Sequence, residues 1–193
     1  MPQTTVKAQP PGWFGKLPSL GDFASRRLSP AFVDGWDAWL QRELPRSRDA
    51  LGERWLDAFL VAPVRRFWIA PRLLGASAWV GVWMPSVDAV GRHYPFTVAM
   101  PCAAVGPWPL AREAAVWFDA VDAAARRVLD PQDGVEALER ALATLLPMAP
   151  VKGNPGAGRG SAWWCAGTDQ PSALSTVPGL PAGDAFDRLL SPC

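Results

Sequence analysis

The chain has 193 residues, of which 49% are apolar and 11 are tryptophan, so we expect one domain whose core is built largely from aromatic rings. Basic residues number 19 and acidic residues 18, and this balance gives no strong field to attract nucleic acid or an anionic membrane surface. Neither nucleic acid nor a membrane is therefore expected as a partner.

The first half of the chain predicts a loop, two helices and a set of strands. Residues 13–23 read WFGKLPSLGDF and predict a rigid loop entered from a strand, since their glycines lack the spacing of a phosphate-binding loop. Ser29 and Pro30 form a helix start signal, and apolar residues recur at helical spacing over 32–44. Pro45 is expected to end or kink that helix, with a second helical piece over 46–59.

The middle of the chain changes from helical to strand patterning. Residues 67–70, 76–84 and 95–100 are rich in Trp, Val, Ile and Phe and are separated by Pro and Gly, so they predict strands joined by turns. The connections are too short for crossover helices, which favours antiparallel pairing.

The second half returns to helical spacing. One long amphipathic helix is predicted over 110–128 and another over 135–146. Residues 150–160, rich in Gly and Pro, predict a mobile loop, and 161–166 predict a late strand with Trp163 and Trp164 on opposite faces. A short helix is expected over 184–190. The predicted fold is a single-domain α+β sandwich over 1–193, with a central, mainly antiparallel sheet flanked by helices.

The cysteines and the N-terminus bear on the compartment. Cys102, Cys165 and Cys193 are widely separated and contain no C-x-x-C pair, so neither a disulfide framework nor a zinc site is expected, and three reduced thiols are typical of the cytosol. Residues 1–11 contain no apolar run of the kind found in secretory signals and predict a flexible N-terminus. We expect a cytoplasmic protein without a metal or cofactor.

His93 is the one histidine, so any catalytic triad with a histidine base must use it. A turn histidine bonded to backbone is the preferred interpretation, because no nucleophile is evident beside it. The alternative is a small hydrolase that uses His93 with Asp22 or Asp88. A third interpretation is a structural adaptor that needs an obligate partner to fold. No catalytic residue is predicted.

Two predicted loops each begin with Pro-Ser and continue to an aspartate, the first at residues 18–22 and the second at residues 85–92. Serine and aspartate side chains commonly bind nearby backbone N–H groups and tighten turns, so both loops can be purely structural. The functional interpretation places them at one edge of the sheet, with Phe23 as an aromatic anchor if it is exposed. The candidate partner-binding residues are Ser19, Asp22, Phe23, Ser86, Asp88, Arg92 and His93.

Four segments carry a resemblance to a known family: GWFGKLPSLGDFASRRL at 12–28, FVDGWDAWLQREL at 32–44, WMPSVDAVGRHYPFTVAMP at 83–101 and SAWWCAG at 161–167. In this order they resemble the TagF family, accessory proteins of bacterial type VI secretion systems. The resemblance covers the chain from about residue 12 to residue 167.

The resemblance implies a regulatory role. TagF proteins look like post-translational repressors that act in the cytoplasm, in some bacteria by engaging the forkhead-associated scaffold protein of the threonine-phosphorylation pathway or in parallel with it. The expected partner is therefore a cytoplasmic type VI secretion component, with that scaffold protein as a candidate. No catalytic residues map onto this chain from the family. Some relatives carry a fused metal-dependent phosphatase, and this chain lacks a cluster of metal-binding aspartates, so that activity is not expected.

Overall fold

A computed structural model describes residues 9–20, 22–103, 105–130, 134–152, 159–168, 170 and 173–193. These residues form seven strands, namely β1 (Gly12–Gly15), β2 (Ala24–Arg26), β3 (Arg65–Ile69), β4 (Ala78–Met84), β5 (Phe96–Cys102), β6 (Ser161–Trp164) and β7 (Ser175–Val177). They also form six α-helices, namely α1 (Pro30–Leu51), α2 (Arg54–Val61), α3 (Pro107–Glu113), α4 (Ala115–Arg126), α5 (Gly134–Ala143) and α6 (Asp184–Asp187).

The strands form one sheet in the order β2-β1-β5-β4-β3-β6-β7. Every neighbouring pair is antiparallel, which confirms the predicted α+β architecture. The strands β3, β4 and β5 form a meander through consecutive connections, and β1 and β6 are added on its two sides. The late strand joins the earlier sheet as expected.

Helices cover both faces of the sheet and bury two separate apolar cores. Residues of α3, α4 and α5 pack on one face, and residues of α1, α2 and α6 pack on the other. Adjacent strand residues alternate between the two cores because strand side chains point to opposite faces in turn. Trp164 belongs to the first core and Trp163 to the second, which confirms the predicted alternation.

The predicted division of the first helical region was wrong. Ser29 caps α1 as expected, since its hydroxyl accepts a hydrogen bond from the Phe32 N–H at 3.3 Å, but the helix continues through Pro45 to Leu51. Tertiary contacts outweigh the hydrogen bond that the proline removes, because the residues on either side of it are held. Arg46 forms ion pairs with buried Glu43 and with Asp187.

The predicted long helix over 110–128 is two helices. The backbone turns at Ala114, whose φ and ψ are −101° and 15°, so α3 ends at Glu113 and α4 begins at Ala115. The Ala114 N–H still donates to the Leu110 carbonyl at 3.0 Å. The helical spacing of apolar residues therefore continues unbroken across Ala114, and the sequence pattern contains no sign of the bend.

The expectation of three reduced thiols was also wrong. A disulfide joins Cys165 and Cys193, 28 residues apart in the sequence, with a Cα–Cα distance of 6.1 Å. Cys102 carries the unbonded thiol. The pairing arises because the short 3-10 turn Arg188–Leu190 returns the chain to the end of β6, and no sequence spacing marks such a return.

Some expectations fall partly on residues that are not described. The flexible segment 1–11 lies outside the described residues over 1–8, and the mobile loop 150–160 does so over 153–158. Pro11 is buried, and its carbonyl accepts a hydrogen bond from Arg27 at 3.1 Å. Across the described ranges, no helix has the length and apolar character needed to cross a bilayer.

Candidate functional site

The two Pro-Ser loops meet at one end of the sheet. The first loop lies between β1 and β2 and includes residues 16–20 and 22–23, and the second loop, residues 85–95, lies between β4 and β5. The strands β1 and β5 are antiparallel neighbours in which Gly15 faces Phe96, so the first loop begins where the second ends. The Ala89 N–H donates to the Leu20 carbonyl at 3.1 Å, which joins the loops directly.

A glycine is required where the loops come together. Gly15 has a φ of +141°, and a Cβ at this position would lie 2.4 Å from the Pro95 carbonyl oxygen. Both the left-handed backbone and the close approach exclude a larger residue. The first glycine of the WFGKLPSLGDF segment thus allows the loops to pack against each other.

Asp88 is the centre of the second loop and is buried. One carboxylate oxygen accepts from the N–H groups of Val90 and Arg92 at 3.0 and 2.8 Å. The other accepts from the Lys16 ammonium at 3.0 Å and from the Arg92 Nε at 2.6 Å. Burial disfavours the charged carboxylate, but these hydrogen bonds outweigh it and hold the pKa of Asp88 below its usual range.

Ser86 and Asp88 therefore support the loops and cannot touch a partner directly. Ser86 is 4% exposed, and its hydroxyl donates to the Lys16 carbonyl at 2.7 Å. Asp88 is 3% exposed, with four donors around its carboxylate. The structural interpretation applies to these two candidates, because both side chains are used in fixing the turn.

The three candidate side chains of the first loop face outward. Phe23 is 43% exposed, and its ring stacks on Phe14 at 5.9 Å and meets Tyr94 edge-on at 4.6 Å. Asp22 is exposed, and its carboxylate accepts from the Phe23 N–H at 2.8 Å. Ser19 is also exposed. Phe23 thus meets the condition set for an anchor, since it is accessible yet held on a rigid aromatic base.

Arg92 and His93 occupy the exposed side of the second loop. The side chain of Arg92 is 56% exposed while it pairs with Asp88. His93 is half-buried, and its ring lies edge-on to Trp55 and Phe59 at 6.3 and 5.9 Å. It lines a depression of about 320 Å³ with Arg48, Gly52, Glu53, Trp55 and Leu56.

The setting of His93 bears on the hydrolase alternative. Within the described part of the chain, no carboxylate or hydroxyl is hydrogen-bonded to its ring. A general base needs its nucleophile within hydrogen-bond reach, and Asp88 is already saturated by other donors. Among the residues that the structure describes, no cluster of three or more His, Cys, Asp or Glu side chains could hold a metal ion.

Sequence reasoning missed three features of this surface. Lys16 is buried and pairs with Asp88, and its ammonium also lies 4.9 Å from the centre of the Phe23 ring. Tyr94 donates its hydroxyl to Asp37 on α1 at 2.6 Å. Leu56 and its neighbour Leu60 on α2 are 42% and 56% exposed. The position of Lys16 between apolar residues was a usable signal for a buried cation, whereas the Tyr94 contact had none.

Comparisons with known proteins give one family model and one similar solved structure. The model of the TagF N-terminal domain, described as type VI secretion system-associated, matches residues 12–145. The chain is similar to PA0076 from Pseudomonas aeruginosa PAO1, known from a crystal structure, with 39% sequence identity and a TM-score of 0.81. That match covers 94% of each chain. No curated protein sequence matches the chain.

Proposed function

Because the chain belongs to the TagF family of type VI secretion-associated proteins, we propose that it is a cytoplasmic repressor of a type VI secretion system that acts by binding a protein component of the apparatus. The forkhead-associated scaffold protein of the threonine-phosphorylation pathway is the candidate partner that the family resemblance supplies. The proposal assigns the protein no catalysis, and its output is recognition.

The observation that carries this proposal is the exposed aromatic ring of Phe23 on a rigid support. An anchor residue loses little conformational entropy on binding when its ring is already fixed. Phe23 is held by ring contacts with Phe14 and Tyr94, and the Lys16 ammonium lies 4.9 Å from the centre of its ring. Asp22 adds a negative charge next to Phe23 in the sequence, and Arg92 adds a positive charge on the second loop.

A binding surface of this kind predicts which substitutions separate folding from recognition. Asp22 makes no described side-chain contact beyond the Phe23 N–H, so Asp22→Arg reverses a charge without disturbing packing. Phe23→Ala removes the exposed ring. Charge reversal at Arg92 is unsuitable, because it would place a second carboxylate beside buried Asp88.

The test is repression of secretion in a strain that lacks the gene and is complemented by plasmid. The wild-type chain should reduce secretion of the type VI tube protein, and the double variant Asp22→Arg/Phe23→Ala should lose this effect at an equal protein level. Val116→Ala on α4 is the matched control, because Val116 is 82% exposed on the opposite face of the sheet.

Binding to the purified scaffold protein, measured by calorimetry, then tests the partner. A Kd that is weakened at least tenfold by the double variant, and not by Val116→Ala, supports both the surface and the partner, since tenfold corresponds to about 1.4 kcal/mol. Full repression by the double variant would show that the two Pro-Ser loops do not contact the partner. Repression without scaffold binding would keep the function and reject that partner.

A further inference from the structure

The disulfide between Cys165 and Cys193 is asymmetric in its exposure. Cys165 follows β6 and is 9% exposed, whereas Cys193 lies in the exposed stretch 191–193. A thiolate from solution can therefore approach the sulfur of Cys193 more readily than that of Cys165. In thiol–disulfide exchange one sulfur is attacked and the other leaves. The difference in exposure therefore makes Cys193 the attacked sulfur and Cys165 the leaving one.

Arg65 lies against the buried sulfur. Its Nη1 is 3.0 Å from the Cys165 Sγ. Its other nitrogens donate to the carbonyls of Leu189 and Arg188, both at 2.9 Å, and of Ser191 at 2.5 Å. These bonds fix the guanidinium, which stays charged at any physiological pH. A fixed positive charge beside a sulfur favours the thiolate over the thiol.

We propose that the Cys165–Cys193 bond is a thiol–disulfide exchange site at which an external thiol attacks Cys193 and Arg65 stabilises the departing Cys165 thiolate. In the first step the external thiolate bonds to the Cys193 sulfur, and the electron pair of the broken S–S bond goes to Cys165. In the second step another thiol attacks the mixed disulfide and releases Cys193. Two external thiols are oxidised to one disulfide, and the two protein sulfurs are reduced to thiols.

The rest of the C-terminal region is held independently of this bond. Phe186, Leu189 and Leu190 are 0 to 3% exposed in the second core, and Asp187 pairs with Arg46 at 2.6 Å. Reduction is therefore expected to leave the fold intact and to free Cys193, while the Ser191 carbonyl stays bonded to Arg65. Ser191, Pro192 and Cys193 line a depression of about 440 Å³ together with Arg65 and Trp164, and release of Cys193 is expected to widen it.

Cys102 provides an internal control thiol. Burial raises its pKa to about 12, because the charged thiolate is poorly solvated there. At pH 8 this thiol is expected to react slowly, in contrast to the behaviour proposed for Cys165. Cys102 therefore serves as the reference for burial alone, which acts in the opposite direction to the effect assigned to Arg65.

The direction of attack can be tested on the wild-type protein. Purified chain in its oxidised form is mixed with a small excess of glutathione, quenched with acid within seconds and mapped by peptide mass spectrometry. The expected product carries glutathione on Cys193 and a thiol at Cys165. Glutathione found mainly on Cys165, or a protein that forms no Cys165–Cys193 bond after treatment with oxidised glutathione, would overturn the proposal.

The role of Arg65 is tested in a background with Cys102→Ser and Cys193→Ser, where Cys165 is the one thiol. The rate of alkylation by iodoacetamide is followed against pH. Arg65→Gln is expected to move the midpoint upward by about 1 pH unit, the low end of the range for a neighbouring opposite charge. Arg65→Lys retains the charge and should move the midpoint less. Arg112 is an exposed arginine on α3, and Arg112→Gln should leave the midpoint unchanged.

An unchanged midpoint in Arg65→Gln would remove Arg65 from the mechanism. Because Arg65 also binds three carbonyls, Arg65→Gln is expected to lower stability, and circular dichroism at each pH identifies unfolded samples. If Arg65→Gln unfolds, the comparison rests on Arg65→Lys and on the mapping experiment, each of which can contradict the proposal alone.

Discussion

Replacing Trp36 by phenylalanine isolates one buried hydrogen bond between α1 and the sheet. Trp36 is fully buried, and its indole N–H donates to the hydroxyl of Thr97 on β5 at 2.9 Å. Trp83 belongs to the same core and is equally buried, but within the described residues its indole N–H has no partner. The two tryptophans thus separate the loss of ring volume from the loss of a hydrogen bond.

The expected magnitudes follow from these environments. Trp83→Phe removes ring atoms from a packed core and should cost at most about 2 kcal/mol of unfolding free energy, because it also removes an unpaired buried N–H. Trp36→Phe has a similar cavity cost and also leaves the Thr97 hydroxyl without its donor, which adds about 1 to 3 kcal/mol. Thr97→Val strands the Trp36 N–H at a comparable cost. The double variant Trp36→Phe/Thr97→Val loses both partners together, so it should be about 1 kcal/mol more stable than additivity predicts.

Urea denaturation at 25 °C, followed by tryptophan fluorescence and by far-ultraviolet circular dichroism, measures the four free energies of the cycle. Coincident transitions by the two methods would justify a two-state treatment. A coupling energy below about 0.5 kcal/mol, which is the range of simple additivity, would refute the reasoning. Equal costs for Trp36→Phe and Trp83→Phe would do the same.

Two further perturbations act through charge and through backbone packing. The pKa of Glu139 is lowered by hydrogen bonds from Arg27, and that of Asp88 is lowered by its four donors despite burial, so both stabilise the fold above their unfolded pKa values of about 4. This contribution is lost as the pH falls through the folded pKa values. Urea titrations between pH 6 and 3 should therefore show a smaller decline in unfolding free energy for Glu139→Gln than for wild type. Equal declines would contradict the assignment. Gly81→Ala should prevent folding, because its Cβ would lie 2.0 Å from the Val98 carbonyl oxygen. Gly179→Ala is the control, since a Cβ there meets no atom within 4 Å, and it should melt within a few degrees of wild type. A soluble Gly81→Ala protein with an unchanged melting temperature would show that β4 and β5 do not approach closely at this point.

Local patterns predicted most of the sheet and the place where the two loops meet. Alternation of Trp163 and Trp164, short connections between strands and the Ser29-Pro30 signal each depend on a few neighbouring residues. The strands β2 and β7 were missed, because each has three residues and no period can be read from so few. Just beyond Pro45 in α1, Arg46 pairs with Asp187, 141 residues away in the sequence, and no local pattern contains that contact.

The candidate site shows the same division between local and distant information. That the Pro-Ser loops converge could be proposed from their similar composition, and the exposure of Phe23 was stated as a condition. The burial of Asp88 could not be derived, since it depends on Lys16, 72 residues earlier. The contact of Arg65 with Cys165 spans 100 residues. Burying a charged pair requires a partner already in place, and a single sequence does not identify that partner.

The burial of Ser86 and Asp88 affects how any mutational study of this surface is interpreted. A substitution at either residue removes hydrogen bonds that hold the first loop against the second, so it displaces Phe23 and Asp22 even though neither is changed. Loss of binding in such a variant therefore reports on the support, and only a folded protein with altered exposed residues reports on contact. The distinction is measurable, because a support variant should lower the melting temperature along with binding, whereas a contact variant at Asp22 should lower binding alone.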